Sequence, residues 1–277
     1  MNAAEGGLQE QGWGEVQLRD GWISYLARGR AGSSLPLVLL PSLGGGASSW
    51  GELGERLAAE RFTLALDPRG FGHSSPPAPR LSTRGMAQEL LAALDALNVP
   101  RFDLFGISLG SLIASWLAIL APRRVEHLVL ASCGARGTDY VPRRAGLAWR
   151  LLRDALLEPH PRPALARDVA ARSESKAAKR AEASAARGAW SRGRLLHFLG
   201  AVARHDVRAE LPSLRAPTLL LHGELDAILG PESQARLLAG IPQARLVELA
   251  GAGHNLVEES AAPSASSILE FLRLPGG

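Results

Sequence analysis

The 277-residue chain is 46% hydrophobic and 21% charged, with a mean hydropathy of +0.03 and a net charge of +4 at pH 7. Such values point to a soluble globular chain, long enough for one large α/β domain with an insertion, and no apolar run reaches the roughly 18–20 residues that cross a bilayer. The single cysteine, Cys133, cannot form an intrachain disulfide, and no HExxH or paired Cys/His spacing suggests a metal site, so neither metal nor cofactor is expected.

The first fourteen residues are polar and glycine-rich, with no basic or apolar leader pattern; we expect no signal peptide and a cytoplasmic protein in a reducing compartment. Residues 15–28 alternate as a hairpin, with Val16 and Leu18 before an Asp20-Gly21 turn and Trp22, Tyr25 and Leu26 after it. Leu35 to Leu40 is a continuous apolar run, as in a strand covered on both faces. It leads into Pro41-Ser42-Leu43-Gly44-Gly45-Gly46, too glycine-rich for regular structure. Ser48 or Ser49 can cap a helix from Trp50 to about Glu60. Arg61–Asp67 reads as the next strand, followed by the turn-rich Asp67-Pro68-Arg69-Gly70-Phe71-Gly72-His73-Ser74. Helical spacing returns over 82–98 with Met86, Leu90, Leu91, Leu94 and Leu97.

Next comes Arg101–Ile107, a short apolar strand, running into Gly106-Ile107-Ser108-Leu109-Gly110 and then a long apolar helix closed by Pro122. A serine at the apex of a tight strand-to-helix turn has its Oγ lifted clear of the sheet. Its neighbours two residues away come too close to carry side chains, which suits Gly106 and Gly110. The helix also aims its free N–H groups and positive dipole at the reacting oxygen. Further strands are expected at Val125–Ala131, 217–222 and 244–249, and a last helix ends at Leu272. Strands alternating with helices at this rhythm imply a doubly wound, mostly parallel sheet.

Residues 134–210 break the rhythm. They contain no strand pattern, and between Val169 and Trp190 no apolar side chain exceeds alanine, so this stretch should be exposed or mobile. The expected organisation is a core of 15–133 and 211–277 with a helical cap, 134–210, over the C-terminal edge of the sheet. Residues 134–205 hold 15 basic against 6 acidic side chains, leaving 16 against 21 elsewhere. A basic lid would concentrate an anionic substrate; the plainer alternative is that arginine and alanine merely solubilise exposed helices. Acids interleave with the basic residues and no recognition motif is present, so nucleic acid is not an expected partner, nor is a membrane.

A serine hydroxyl needs an adjacent base, itself held by a third group. Asp226, in His222-Gly223-Glu224-Leu225-Asp226, and His254, in Gly251-Ala252-Gly253-His254, each lie just past a strand and so at the same sheet edge as Ser108. His254 is expected to take the Ser108 proton and Asp226 to orient and stabilise the imidazolium; Glu224 is the alternative acid. Asp139 lies several residues beyond its strand, and His222 should pack beside the site. The remaining histidines (73, 127, 160, 197 and 205) have no motif around them. An oxyanion hole needs two N–H donors: Leu109, after the nucleophile, and most simply Leu43, in the loop after the Leu35–Leu40 strand.

Taken together, the elbow, the Asp67-x-Arg69-Gly70-x-Gly72-x-Ser74 loop, Gly223-x-x-Asp226 and Gly253-His254 resemble the alpha/beta-hydrolase fold superfamily over about 15–272. The resemblance implies a fold with an inserted cap, structural roles for Asp67 and Arg69, and a cofactor-independent serine hydrolase. Many members have His-Gly in the oxyanion loop. The Ser42-Leu43-Gly44 spelling is instead similar to enol-lactone hydrolases, which implies a small ester or lactone, attacked through an acyl-enzyme on Ser108; an acyl-thioester enters only as an anionic substrate that the basic lid would concentrate. Ser108 argues against the dehalogenase and epoxide hydrolase branches, whose elbows carry a carboxylate. Carbon–carbon bond hydrolases, perhydrolases and acyltransferases share the triad and stay open, as does a non-catalytic small-molecule-binding protein.

Overall fold

The computed structural model describes residues 8, 11–30, 32, 34–140 and 191–276. Eight strands form one sheet: β1 Gly12–Leu18, β2 Gly21–Arg28, β3 Leu37–Leu40, β4 Thr63–Leu66, β5 Phe102–Ile107, β6 Val125–Ala131, β7 Thr218–Gly223 and β8 Ala244–Leu249. Their order is β1-β2-β4-β3-β5-β6-β7-β8. The first two pairings are antiparallel and the rest parallel. The described helices are α1 Gly51–Glu60, α2 Thr83–Ala96, α3 Leu109–Leu120, α4 Arg192–Ala203, α5 Pro231–Gly240, α6 Leu256–Glu259 and α7 Ala261–Phe271.

Strand alternation divides the core into two layers. Val38, Leu104, Leu128 and Leu220 face α2 and α3, against Leu90, Leu94, Leu112 and Leu117. Leu37, Phe105, Val129 and Leu221 face the other way, against Trp50, Leu53 and Leu57 of α1 and its N-cap, and Ile268 and Phe271 of α7. With both faces covered, the central strands favour apolar side chains: β3 is an unbroken apolar run, and β5 is interrupted by the buried Asp103, which is paired with Arg61 and His127. After β3 the chain pairs β4 on one side of it and β5 on the other. The two loops leaving β3 and β5 therefore diverge at their C-terminal ends, and the crevice between them is where open α/β sheets bind ligands.

The structure adjusts three local expectations. The hairpin begins at Gly12, and its turn is Arg19-Asp20, with Gly21 paired to Leu18. A side chain on Gly21 would be both strained, at φ 152°, and crowded by Ser75. Neither Ser48 nor Ser49 caps α1: Trp50 holds the N-cap position without a side-chain bond, while Ser49 Oγ closes a turn by bonding the Gly46 carbonyl and accepting its N–H. By contrast, Ser82 caps α2, accepting the Gly85 N–H at 3.0 Å.

Of the expected cap, residues 141–190, including the Arg/Ala-rich stretch, lie outside the described residues. Its two ends meet. Gly137 N–H donates to the His205 carbonyl at 2.8 Å and Val207 N–H to the Ala135 carbonyl at 2.9 Å. The C-terminal end is anchored on the core: buried Phe198 of α4 packs edge-on to Phe71, ring centroids 5.0 Å apart, and His205 Nδ1 meets Thr83 Oγ1 at 2.9 Å. A side chain on Gly70 would crowd the Phe198 ring, so the glycine lets α4 settle on the loop after β4.

Candidate active site

β5 delivers Ser108 to the crevice. Its φ of 52° and ψ of −118° lie outside the regions open to ordinary L-residues, and its N–H is held by the Ala131 carbonyl at 2.9 Å. The flanking glycines are sterically required. A Cβ on Gly106 would strike the Gly110 carbonyl, and one on Gly110 would strike the Leu40 carbonyl. The elbow is thus wedged between β3 and the first turn of α3.

His254 arrives on the loop after β8 and Asp226 on the loop after β7. His254 Nε2 lies 2.9 Å from Ser108 Oγ, and His254 Nδ1 lies 2.8 Å from Asp226 Oδ2. Asp226 is buried, and its second oxygen accepts the N–H groups of Ile228 at 2.8 Å and Leu229 at 3.0 Å. Burial works against its ionisation. The neighbouring His254 and the two backbone donors outweigh that, so the carboxyl sits below the usual aspartate range. With Nδ1–H directed at a carboxylate, Nε2 is left to accept a proton from Ser108.

The alternatives are engaged elsewhere. Glu224 is exposed and accepts the Gly251 N–H at 2.8 Å. Asp139 takes the Ala135 and Arg136 N–H groups and the guanidinium groups of Arg136 and Arg236. His222 is buried in β7, and burial holds it below the usual imidazole range. His127 pairs with Asp103 at 2.8 Å, and His73 carries backbone bonds to Asp67 and from the Trp22 indole. His160 lies outside the described residues. Among the described residues no cluster of three His, Cys, Asp or Glu side chains could hold a metal ion.

Leu43 is half-buried in the loop after β3, and Leu109 opens α3. Neither N–H has an acceptor among the described residues. Asp67 fixes the loop beyond Leu43: its buried carboxylate accepts the Ala47 N–H at 2.6 Å and the His73 N–H at 3.0 Å. Arg69 bonds the Pro76 carbonyl and Glu89, away from the site. Gly72, at φ 42°, packs so tightly on Asp67 that a side chain there would overlap the carboxylate.

Two contacts at the site were not anticipated from the sequence. Ser132, just past β6 with φ 48°, donates its hydroxyl to the His254 carbonyl at 2.7 Å. Tyr140 sets its ring edge-on to the His254 ring, centroids 6.4 Å apart, while its hydroxyl bonds the Ser132 carbonyl at 3.2 Å and accepts the Gly134 N–H at 3.0 Å. The usable signal for Ser132 was its place: a polar residue at the C-terminal end of a central strand, level with Ser108.

A family model described as the alpha/beta hydrolase fold matches residues 36–261. The chain belongs to the alpha/beta hydrolase fold family. This alpha/beta hydrolase is 32% identical over 225 residues to RutD of Klebsiella pneumoniae (strain 342), a carbamate hydrolase by name, covering 79% of this chain and 84% of that protein. It is 30% identical over 257 residues to polyketide synthase ThaQ of Burkholderia thailandensis; there the match spans 88% of this chain but only 12% of the much longer synthase. Among solved structures it superposes on the enol-lactonase from Burkholderia xenovorans LB400 with a TM-score of 0.79 and 25% identity, over 94% of this chain and all of that one. No described helix of this alpha/beta hydrolase is long and apolar enough to cross a membrane.

Proposed function

We propose that the chain is a serine hydrolase of small carboxylic esters or lactones, with Ser108, His254 and Asp226 as its triad. The observation that carries this is the continuous pair of hydrogen bonds from Ser108 Oγ through the two nitrogens of His254 to Asp226. Ser108 Oγ attacks the substrate carbonyl carbon while His254 Nε2 takes its proton. The N–H groups of Leu43 and Leu109 hold the oxygen that becomes negative, each donor worth roughly 2.7–4 kcal/mol. When the tetrahedral intermediate collapses, the imidazolium hands its proton to the departing alkoxide. In a lactone that alkoxide stays tethered to the acyl group. Water, deprotonated by His254, then attacks the acyl-enzyme and frees the acid and Ser108.

The likeness to an enol-lactonase and to a named carbamate hydrolase supports acyl-group hydrolysis as the reaction class. Residues 134–210 serve in this reading as the inserted cap, and the surplus of basic side chains in 134–205 favours anionic substrates. A fluorophosphonate probe tests the nucleophile: the wild-type protein labels at Ser108 and Ser108→Ala does not. A panel of acyl esters, lactones and thioesters, each as charged and neutral analogues, tests the substrate class. Absence of labelling would remove the proposal, and equal, salt-independent kcat/KM for both charge states would remove the anionic preference.

A further inference from the structure

The triad places demands on the backbone of residue 254 as well as on its ring, and that backbone is held by three hydrogen bonds from two side chains. Glu259, at the end of α6, turns its carboxylate back over the loop. Oε2 accepts the Gly253 N–H at 2.9 Å and Oε1 accepts the Asn255 N–H at 3.0 Å. These are the amides immediately before and after His254. Ser132 also donates its hydroxyl to the His254 carbonyl, at 2.7 Å. The approach is close: a Cβ on Gly253 would lie 2.7 Å from Glu259 Oε2, so the glycine in front of the histidine is what admits the carboxylate.

We infer that Glu259 is a positioning residue for the reaction, a carboxylate clamp that fixes the main chain on both sides of His254 and so sets the reach of Nε2 to Ser108. The inference rests on the triad reading above. Two acceptors are needed at once, one per amide, and only a carboxylate supplies both; a glutamine in the same place offers one acceptor and turns an N–H donor toward the other amide. Charge-assisted bonds of this kind are roughly twice as strong as neutral ones. Burial raises the Glu259 carboxyl above the ordinary glutamate range, and the two amides pull it back. The charged or titrating groups around it are His254, Asp226 and, on the same short helix, Glu258. Its negative charge therefore also favours the imidazolium that forms when His254 takes the serine proton. Displacing a base by a fraction of an ångström from its proton donor costs rate without costing substrate affinity.

The experiment compares wild type, Glu259→Gln and Glu259→Asp as full-length protein. Three readouts are taken: amide hydrogen exchange over 250–258, fluorophosphonate labelling rate at Ser108 against pH, and kcat and KM on an ester. Glu259→Gln should speed exchange at the amides of residues 253 and 255, slow labelling and kcat about tenfold with KM within twofold, and move the acid limb of the labelling profile to lower pH. Glu259→Asp keeps the charge with a shorter reach, so it should lose rate while holding the acid limb near its wild-type position. Wild-type labelling rates and an unmoved acid limb in Glu259→Gln, whatever its melting temperature, would overturn the clamp. If wild type itself fails to label, the Ser108 reading falls, and the exchange data alone then decide whether Glu259 holds the loop.

Discussion

Asp67 Oδ1 accepts the backbone N–H of Ala47, tying the loop that leaves β3 to the loop that leaves β4 across 20 residues of chain. The other oxygen holds His73 N–H, so one buried side chain braces both rims on that side of the crevice. Asp67→Asn keeps one acceptor and points an amide donor at the second N–H. We expect a loss of about 1–3 kcal/mol in stability, as for other buried donors left unpaired. The proposed donor at Leu43 should also lose its placement, lowering kcat more than it changes KM. Urea denaturation and steady-state kinetics on one ester check both.

Ser108 holds a backbone conformation that costs of order 1–3 kcal/mol for a non-glycine residue. Ser108→Gly removes both hydroxyl and strain, whereas Ser108→Ala removes the hydroxyl alone. Both variants should be inactive, with the glycine variant the more stable by about 1 kcal/mol. Equal urea midpoints would mean that the elbow stores no strain.

Asp226→Asn retains an acceptor for the Ile228 and Leu229 N–H groups but presents the wrong partner to His254 Nδ1. A drop in kcat of about 10⁴ is expected, the size seen when such a substitution inverts the imidazole tautomer in a serine protease. Glu224→Gln, which only trims a surface turn at Gly251, should leave kcat within twofold. Reversed effects would transfer the acid role to Glu224.

Gly110→Ala places a methyl group against the Leu40 and Pro41 carbonyls, which are fixed backbone atoms of the core. Relief requires moving α3 off the sheet, so a loss on the order of 2–4 kcal/mol is expected. Thermal melting of the purified variant measures it.

His205 lies at the C-terminal end of the proposed insertion, buried against Thr83 and edge-on to Trp116, and burial lowers its pKa to about 4. A histidine kept neutral in the fold charges more readily once unfolded. Its contribution is therefore complete above the unfolded value of about 6.5 and is lost as pH falls toward 4, on the order of 3 kcal/mol in all. His205→Asn should show a flatter decline of unfolding free energy than wild type between those pH values. Glu258 runs the other way: burial lifts its carboxyl to about 7, so it costs stability as pH rises from 4.5 to 7. The difference between variant and wild type isolates the histidine term.

Much of the molecule is readable in one dimension because its causes are local. The apolar run of β3 follows from burial on both faces, the spacing of Met86, Leu90 and Leu94 from helix period, and Gly106 and Gly110 from the geometry of a tight turn. Ser108, Asp226 and His254 could be singled out because each follows a strand, and parallel strands deliver their ends to one edge. What the chain could not state by itself is anything set by a partner far along it. Whether Asp226 or Glu224 faces His254 depends on the path of a loop fixed by Ile228 and Leu229 N–H groups. Gly21 makes room for Ser75, Ser49 closes a turn instead of capping a helix, and Glu259 reaches back over Gly253. Side-chain type and period encode burial and local geometry, but which polar group satisfies which is decided only when distant segments pack, since a hydrogen bond is worth making at about 3 Å and nothing at twice that.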